Sequence, residues 1–200
     1  MRPDKVTELL TPGFMSPTRD AQRTFRMILN AMAHPGRIFK IEELLQPPDS
    51  LNIGSAAVCL TLLDFETRLW ADSGIAQADL VWLRFHSGCR IVDQPSEADF
   101  ALIANAAEVP SLRYFPPGED EYPERSATLI VQVDSLSPRG GRRIFGPGIQ
   151  DFAEIGVEGL PERFWQERLE QSSIYPLGVD VLFTSGRMIA GLPRTSVIGS

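Results

Sequence analysis

Thr128–Val133 reads TLIVQV, a short and almost wholly apolar run of the kind that lies in a sheet covered on both faces. Phe100–Ala104, FALIA, is a second such run. Near the C-terminus, Val179–Phe183 and Met188–Leu192 flank Ser185-Gly186 as a hairpin-like pair. Leu80–Phe85, LVWLRF, alternates well enough to read as a further strand, punctuated by Gly74 and Gly88, and Arg37–Ile41 reads as a short one. Helical patterns interleave with these runs. Ser16-Pro17 opens the first, with Ser16 placed to cap it and Pro17 at the first helical position. Ala21, Phe25, Ile28, Leu29 and Met32 then recur at helical spacing as far as Ala33, and His34-Pro35-Gly36 stops the pattern. Ser55–Asp64, SAAVCLTLLD, is apolar nearly throughout, as a buried helix is. Pro161 starts a helix through Gln171, with Phe164, Trp165 and Leu169 facing inward. The expectation is an α/β fold, a mixed sheet covered by helices.

The chain has 200 residues, 43% of them hydrophobic, enough for one core, so residues 1–200 are expected to form a single domain, with 1–15 partly disordered. The opening MRPDKVTELLTPGF lacks the apolar stretch of a secretory signal, and no apolar run is long enough to cross a bilayer. A cytoplasmic protein without a membrane partner is expected. Cys59 and Cys89 lack the close spacing of a zinc or redox motif. A net charge of -7 argues against nucleic acid, whose nonspecific binding draws its affinity from neutralising phosphates. Lys5 and Lys40 are the only lysines among nineteen basic residues; arginine suits anions and interface ion pairs, and material for lysine chemistry is almost absent.

Each candidate for chemistry has a plain structural counterpart. Asp64, Glu66 and Thr67, after the apolar helix, offer two carboxylates for acid-base work or a metal, or simply cap a helix end. His86-x-x-Cys89 has a spacing that can clip a metal, but two ligands do not make a site. His34, at a helix C-terminus, is accounted for by the helix dipole. Gly140-Gly141-Arg142-Arg143 followed by Gly146-Pro147-Gly148 can cradle an anion with backbone amides and arginine charge, yet matches neither the Walker spacing nor the dinucleotide fingerprint, and a tight turn between strands explains the glycines equally well. Arg142, Arg143, Gly146 and Gly148 are therefore the substrate-binding candidates, with no catalytic or metal residue assigned. Asp180 and Arg194 are placed to pair across the final hairpin. The proline-rich acidic loop Tyr114–Glu124 is expected to be the most mobile segment.

DAQRTFRMILNAMAHPG, LNIGSAAVCLTLLDFET, LRFHSGCRIVDQPSEADFAL, SATLIVQVDSLS, GPGI, and PLGVDVLF with LPRTS occur in one order between about Asp20 and Ser196. In this the chain resembles the H subunits of the bacterial carbon-phosphorus lyase system. It departs from the family pattern at Arg194-Thr195-Ser196, where a second threonine is common, and in the GRR stretch before GPGI.

The resemblance implies a shortened pyridoxal phosphate-dependent transferase fold that has lost its cofactor. The lysine inventory agrees, because that chemistry needs a lysine in a pocket at the end of a strand, whereas Lys5 lies near the terminus and Lys40 at an edge-like position. No cofactor is expected. The resemblance also implies that the G, H and I subunits together exchange the adenine of a nucleoside triphosphate for a phosphonate, giving a ribose 1-phosphonate 5-triphosphate, before a radical iron-sulfur J subunit cleaves the carbon-phosphorus bond. The nucleosidase chemistry is placed on the I subunit, leaving this one non-catalytic. A homodimer is expected for the isolated chain, with Trp70 and Trp82 among apolar residues that one domain leaves uncovered. The rival reading is a stand-alone small-anion-binding domain or transferase, and a weaker one is a purely structural homodimer.

Overall fold

The computed structural model describes residues 11–199. Lys5 and most of the segment expected to be disordered lie outside the described residues. Of that segment's remainder, Phe14 is buried, and the Thr11 carbonyl accepts the Trp82 indole N–H at 2.7 Å.

In chain order the helices are α1 (Pro17–Ala33), α2 (Ile53–Leu62), α3 (Gln77–Ser87) and α4 (Glu162–Gln171). The strands are β1 (Ile38–Lys40), β2 (Arg68–Ala71), β3 (Arg90–Ile91), β4 (Phe100–Ile103), β5 (Thr128–Gln132), β6 (Leu136–Phe145), β7 (Ala153–Val157), β8 (Asp180–Ser185), β9 (Met188–Leu192) and β10 (Val197–Ile198). Seven strands form the main sheet in the order β1-β9-β8-β5-β4-β2-β3. β3, β2, β4, β5 and β8 run parallel, and β9 and then β1 pair antiparallel, so the sheet is mixed as expected. β10, β6 and β7 make a smaller antiparallel sheet.

The apolar strand sequences follow from cover on both faces, with successive side chains going to opposite sides. Leu102, Ile130, Leu182 and Ile189 join a core with Ile28 and Ala31 of α1, Ala56 to Cys59 of α2, and Trp82 and Leu83 of α3. Ala101, Ile103, Leu129, Val131, Val181, Phe183, Ala190 and Leu192 face the other way, against Phe164 and Trp165 of α4 and Ile144, Ile155 and Ile198 of the small sheet. Of the apolar stretch Ser55–Asp64, residues as far as Leu62 lie in helix α2, whose first half is buried because neighbours surround it, while Asp64 lies beyond the helix and is exposed.

Leu80–Phe85 is not a strand but the middle of α3. Asp79, Trp82 and Leu83 are its buried residues, the three-and-four spacing of a helix, while Val81 and Phe85 stay exposed. Gly88, at φ 78°, ends it in the left-handed conformation that glycine adopts without strain. Trp82 is therefore covered, at 1% exposure, and Trp70 packs edge-on against Phe115 with ring centroids 5.6 Å apart, so neither marks an uncovered surface. On α4, Phe164 and Trp165 face inward but Leu169 is half exposed; Arg168 takes the inward place. Its guanidinium donates to the carbonyls of Val179 (2.9 Å) and Pro193 (2.8 Å), and burial pushes its pKa down to about 10, with Asp180 opposing that shift. Ser16 precedes α1 as expected, but its side chain makes no capping bond; its N–H donates instead to the Asp20 carboxylate at 2.8 Å. In the acidic loop, Phe115 is buried, and the Pro116 and Pro117 carbonyls accept from Ala127 and Gly178.

Candidate functional site

In open parallel sheets the customary place for a ligand is beyond the carboxyl ends of the strands. Here that place is filled by side chains of the chain itself. Gln132, the last residue of β5, accepts the Asn52 N–H at 2.6 Å through Oε1 and donates through Nε2 to the Ser50 carbonyl at 2.8 Å. Asn52 caps α2, its Oδ1 accepting the Ser55 N–H at 2.8 Å and its Nδ2 donating to Thr184 Oγ1 at 3.1 Å. Ser55 Oγ, fully buried, lies 2.7 Å from Gln132 Oε1 and 3.0 Å from Thr184 Oγ1. The first amides of α2 are engaged too, since Gly54 N–H donates to the Gly186 carbonyl at 2.8 Å. A helix N-terminus binds anions through free amides, and those of Gly54, Ser55 and Ala56 are occupied. Sequence reasoning missed this network, although Asn52 three residues before Ser55 at the head of an apolar run is a legible capping signal.

Neighbouring carboxylates are equally committed. Asp79 accepts from both the amide (3.0 Å) and the hydroxyl of Ser50. Asp72 accepts the N–H groups of Ala104 (3.0 Å) and Gly74 (3.1 Å), and burial holds its carboxyl above the ordinary value while those amides oppose the shift. Asp64 Oδ1 accepts the amides of Glu66 (2.9 Å) and Thr67 (3.1 Å), which makes Asp64-Phe65-Glu66-Thr67 a turn into β2. His34 caps α1, with Nδ1 3.0 Å from the Asn30 carbonyl. The His86 ring stacks edgewise on Trp82 and Phe85, and its Nε2 lies 3.2 Å from the Thr11 carbonyl, while Cys89 is buried. Among the described residues no group of three or more His, Cys, Asp or Glu side chains is placed to hold a metal ion.

Lys40 sits on β1, an edge strand, half exposed and 3.4 Å from the Glu42 carboxylate. It is not in a closed pocket, so it does not fit a Schiff-base lysine.

The glycine-arginine stretch is not a tight turn. It lies within the long strand β6, whose pairing with β7 shifts register between Ser137 and Arg142. Successive strand residues face opposite sides, so Arg142 and Arg143 diverge. Arg142 pairs with Glu162 and, with Ser137, Arg139, Glu158 and Trp165, lines an open groove of about 480 Å³. Arg143 stacks over Phe152 at 4.9 Å. Gly146 and Gly148 follow the strand where the chain passes close to other backbone: a Cβ on Gly146 would lie 2.7 Å from the Thr195 carbonyl oxygen, and one on Gly148 would strike the carbonyl of Ala33. The four expected residues thus share one ribbon but not one cradle.

Comparison with known proteins decides the family. The sequence model of the bacterial phosphonate metabolism protein PhnH matches residues 12–199. The chain belongs to the PhnH family. It is 34% identical over 193 residues to the alpha-D-ribose 1-methylphosphonate 5-triphosphate synthase subunit PhnH of Rhizobium meliloti (strain 1021), covering 95% of this chain and 96% of that protein. It is 30% identical over 179 residues to the putative C-P lyase subunit protein HtxG of Stutzerimonas stutzeri, covering 88% of this chain and 85% of the relative. The matched residues 12–199 span all six of the sequence blocks. No helix among the described residues of this PhnH member is long and apolar enough to cross a membrane.

Proposed function

We propose that this chain is a subunit of the assembly that makes a ribose 1-phosphonate 5-triphosphate in organic phosphonate catabolism, and that it supplies contacts without supplying the reacting group. One observation carries the reading: a protein named as a subunit of that synthase matches nearly end to end, and a second relative is named as a C-P lyase subunit. The side chains support it. The polar groups at the strand ends bond to one another, and among the described residues no nucleophile stands beside a free base and an orienting partner.

In this reading the chain acts with the G and I subunits to exchange the base of a nucleoside triphosphate for a phosphonate, ahead of the J subunit. It works in the cytoplasm, residues 1–200 fold as one domain, and the chain alone is a homodimer. Its main sheet is the remnant of a pyridoxal phosphate-dependent transferase fold that operates without the cofactor, consistent with the exposed position of Lys40. For an anionic group, the β6 ribbon offers Arg142 in the groove, with Arg139 beside it. Arg143 serves the opposite face, and Gly146 and Gly148 hold the following loop against its neighbours.

Purification tests the reading. The isolated protein should show no turnover of nucleoside triphosphate with methylphosphonate and should scatter light as a dimer. Activity should appear only in the co-purified assembly. Turnover by the isolated chain would favour the stand-alone transferase instead.

A further inference from the structure

α1 carries an outer face that the fold leaves uncovered. Phe25 and Leu29, one turn apart, are 44% and 52% exposed. Beside them run Arg19, Arg23 and Arg26, all exposed, and none forms an ion pair among the described residues. The only carboxylate of the helix, Asp20, is buried and turned back to the Ser16 amide. The face therefore holds three positive charges and no negative one, on a chain whose net charge is -7.

This arrangement works against the helix by itself. Arg19 and Arg23 are spaced i,i+4, and Arg23 and Arg26 i,i+3, so each repels the next, and Arg19 also sits in the first turn, where the helix dipole disfavours a cation. Solvent and salt screen this repulsion in the free chain, and carboxylates brought against the row from elsewhere turn it into attraction. Resting on the reading that this chain is a subunit, we propose that the α1 face is the docking surface for a different subunit of the assembly, one presenting acidic side chains beside an apolar contact for Phe25 and Leu29.

Charge complementarity selects that occupant over a second copy of this chain. A twofold dimer is built from the same patch on both partners. Pairing this face with itself sets arginine against arginine, or against Phe25 and Leu29, and in neither arrangement is a carboxylate supplied. An exposed aromatic flanked on one side by arginines is also the composition enriched at protein interfaces over the rest of a surface.

The test uses the full-length protein co-expressed with the G, I and J subunits, comparing wild type with Arg23→Glu/Arg26→Glu, Arg23→Lys/Arg26→Lys and Phe25→Ala/Leu29→Ala. Melting temperature and light-scattering mass of each variant alone establish that it folds and that its own oligomeric state is unchanged. The charge-reversed variant should recover at least ten-fold less of the other subunits. The lysine variant should recover nearly as much as wild type, with recovery falling as salt rises from about 0.1 to 0.5 M, and the alanine variant should lie between. Undiminished recovery by the folded charge-reversed variant overturns the docking face while leaving the subunit reading intact. A drop in that variant's own mass assigns the face to a second copy and overturns it too. If wild type recovers no other subunit, the subunit reading fails and this proposal fails with it.

Discussion

Asp180 and Arg194 meet at the open end of the β8–β9 hairpin, where the Arg194 N–H donates to Asp180 Oδ1 at 2.7 Å and Arg194 Nη1 to Oδ2 at 3.1 Å. The same Nη1 also reaches the Ser126 hydroxyl, next to the start of β5. Through Ser126 the pair ties both ends of the hairpin to the segment that leads into β5, and both side chains are mostly buried. Asp180→Ala removes two charge-assisted bonds and should lower stability by about 1–3 kcal/mol. Urea denaturation measures it. An unchanged midpoint would mean that the pair is no tie.

Arg168 holds the strand that enters the same hairpin and the one that leaves it. Arg168→Met keeps much of the volume but strands the Val179 and Pro193 carbonyls, so a loss of about 2–4 kcal/mol is expected in the same assay. A variant as stable as wild type would contradict this role.

The two cysteines should be inert in the folded protein. Burial, and next the proximity of Cys89, pushes the Cys59 thiol far above its ordinary pKa, and burial raises Cys89 as well. The thiolate is the reacting form, so a thiol reagent at pH 8 should label neither cysteine in buffer and both in denaturant. Fast labelling of the native protein would show that one of them is open to solvent.

Incubation with pyridoxal phosphate should give no absorbance band that borohydride fixes to a lysine. Lys40 lies on an edge strand, half exposed and 3.4 Å from the Glu42 carboxylate, with no enclosing pocket to hold the cofactor against it. A covalently fixed cofactor on Lys40 is the contrary result.

Much of the fold could be read from the sequence where burial on both faces forces a strand to be apolar along its whole length, as in Leu129-Ile130-Val131 and Val181-Leu182-Phe183. Leu80–Phe85 misled because Leu, Val, Trp and Phe suit a strand. What makes it helical is the spacing of Asp79, Trp82, Leu83 and His86, which binds it to α2 and to Thr11. β2, four residues with only Leu69 buried, is too short to show a period, and the bulge in β6 makes its glycines look like a turn. At the candidate site, Asp64, His34 and Asp180 occupy the structural places that their flanking turns suggested. The Asn52-Ser55-Gln132-Thr184 network could not be read as a unit, because its members come from three separate stretches that only the sheet order brings together.

If this chain serves by assembling and not by reacting, growth on a phosphonate as sole phosphorus source will depend on its contacts and on no single polar side chain. A strain lacking the chain should not grow, and His34→Ala, His86→Ala, Asp64→Ala or Asp180→Ala should each restore both growth and co-purification of the G, I and J subunits whenever the variant folds. A variant that assembles normally with its partners and yet fails to support growth would contradict the account and give the altered side chain a direct part in the chemistry.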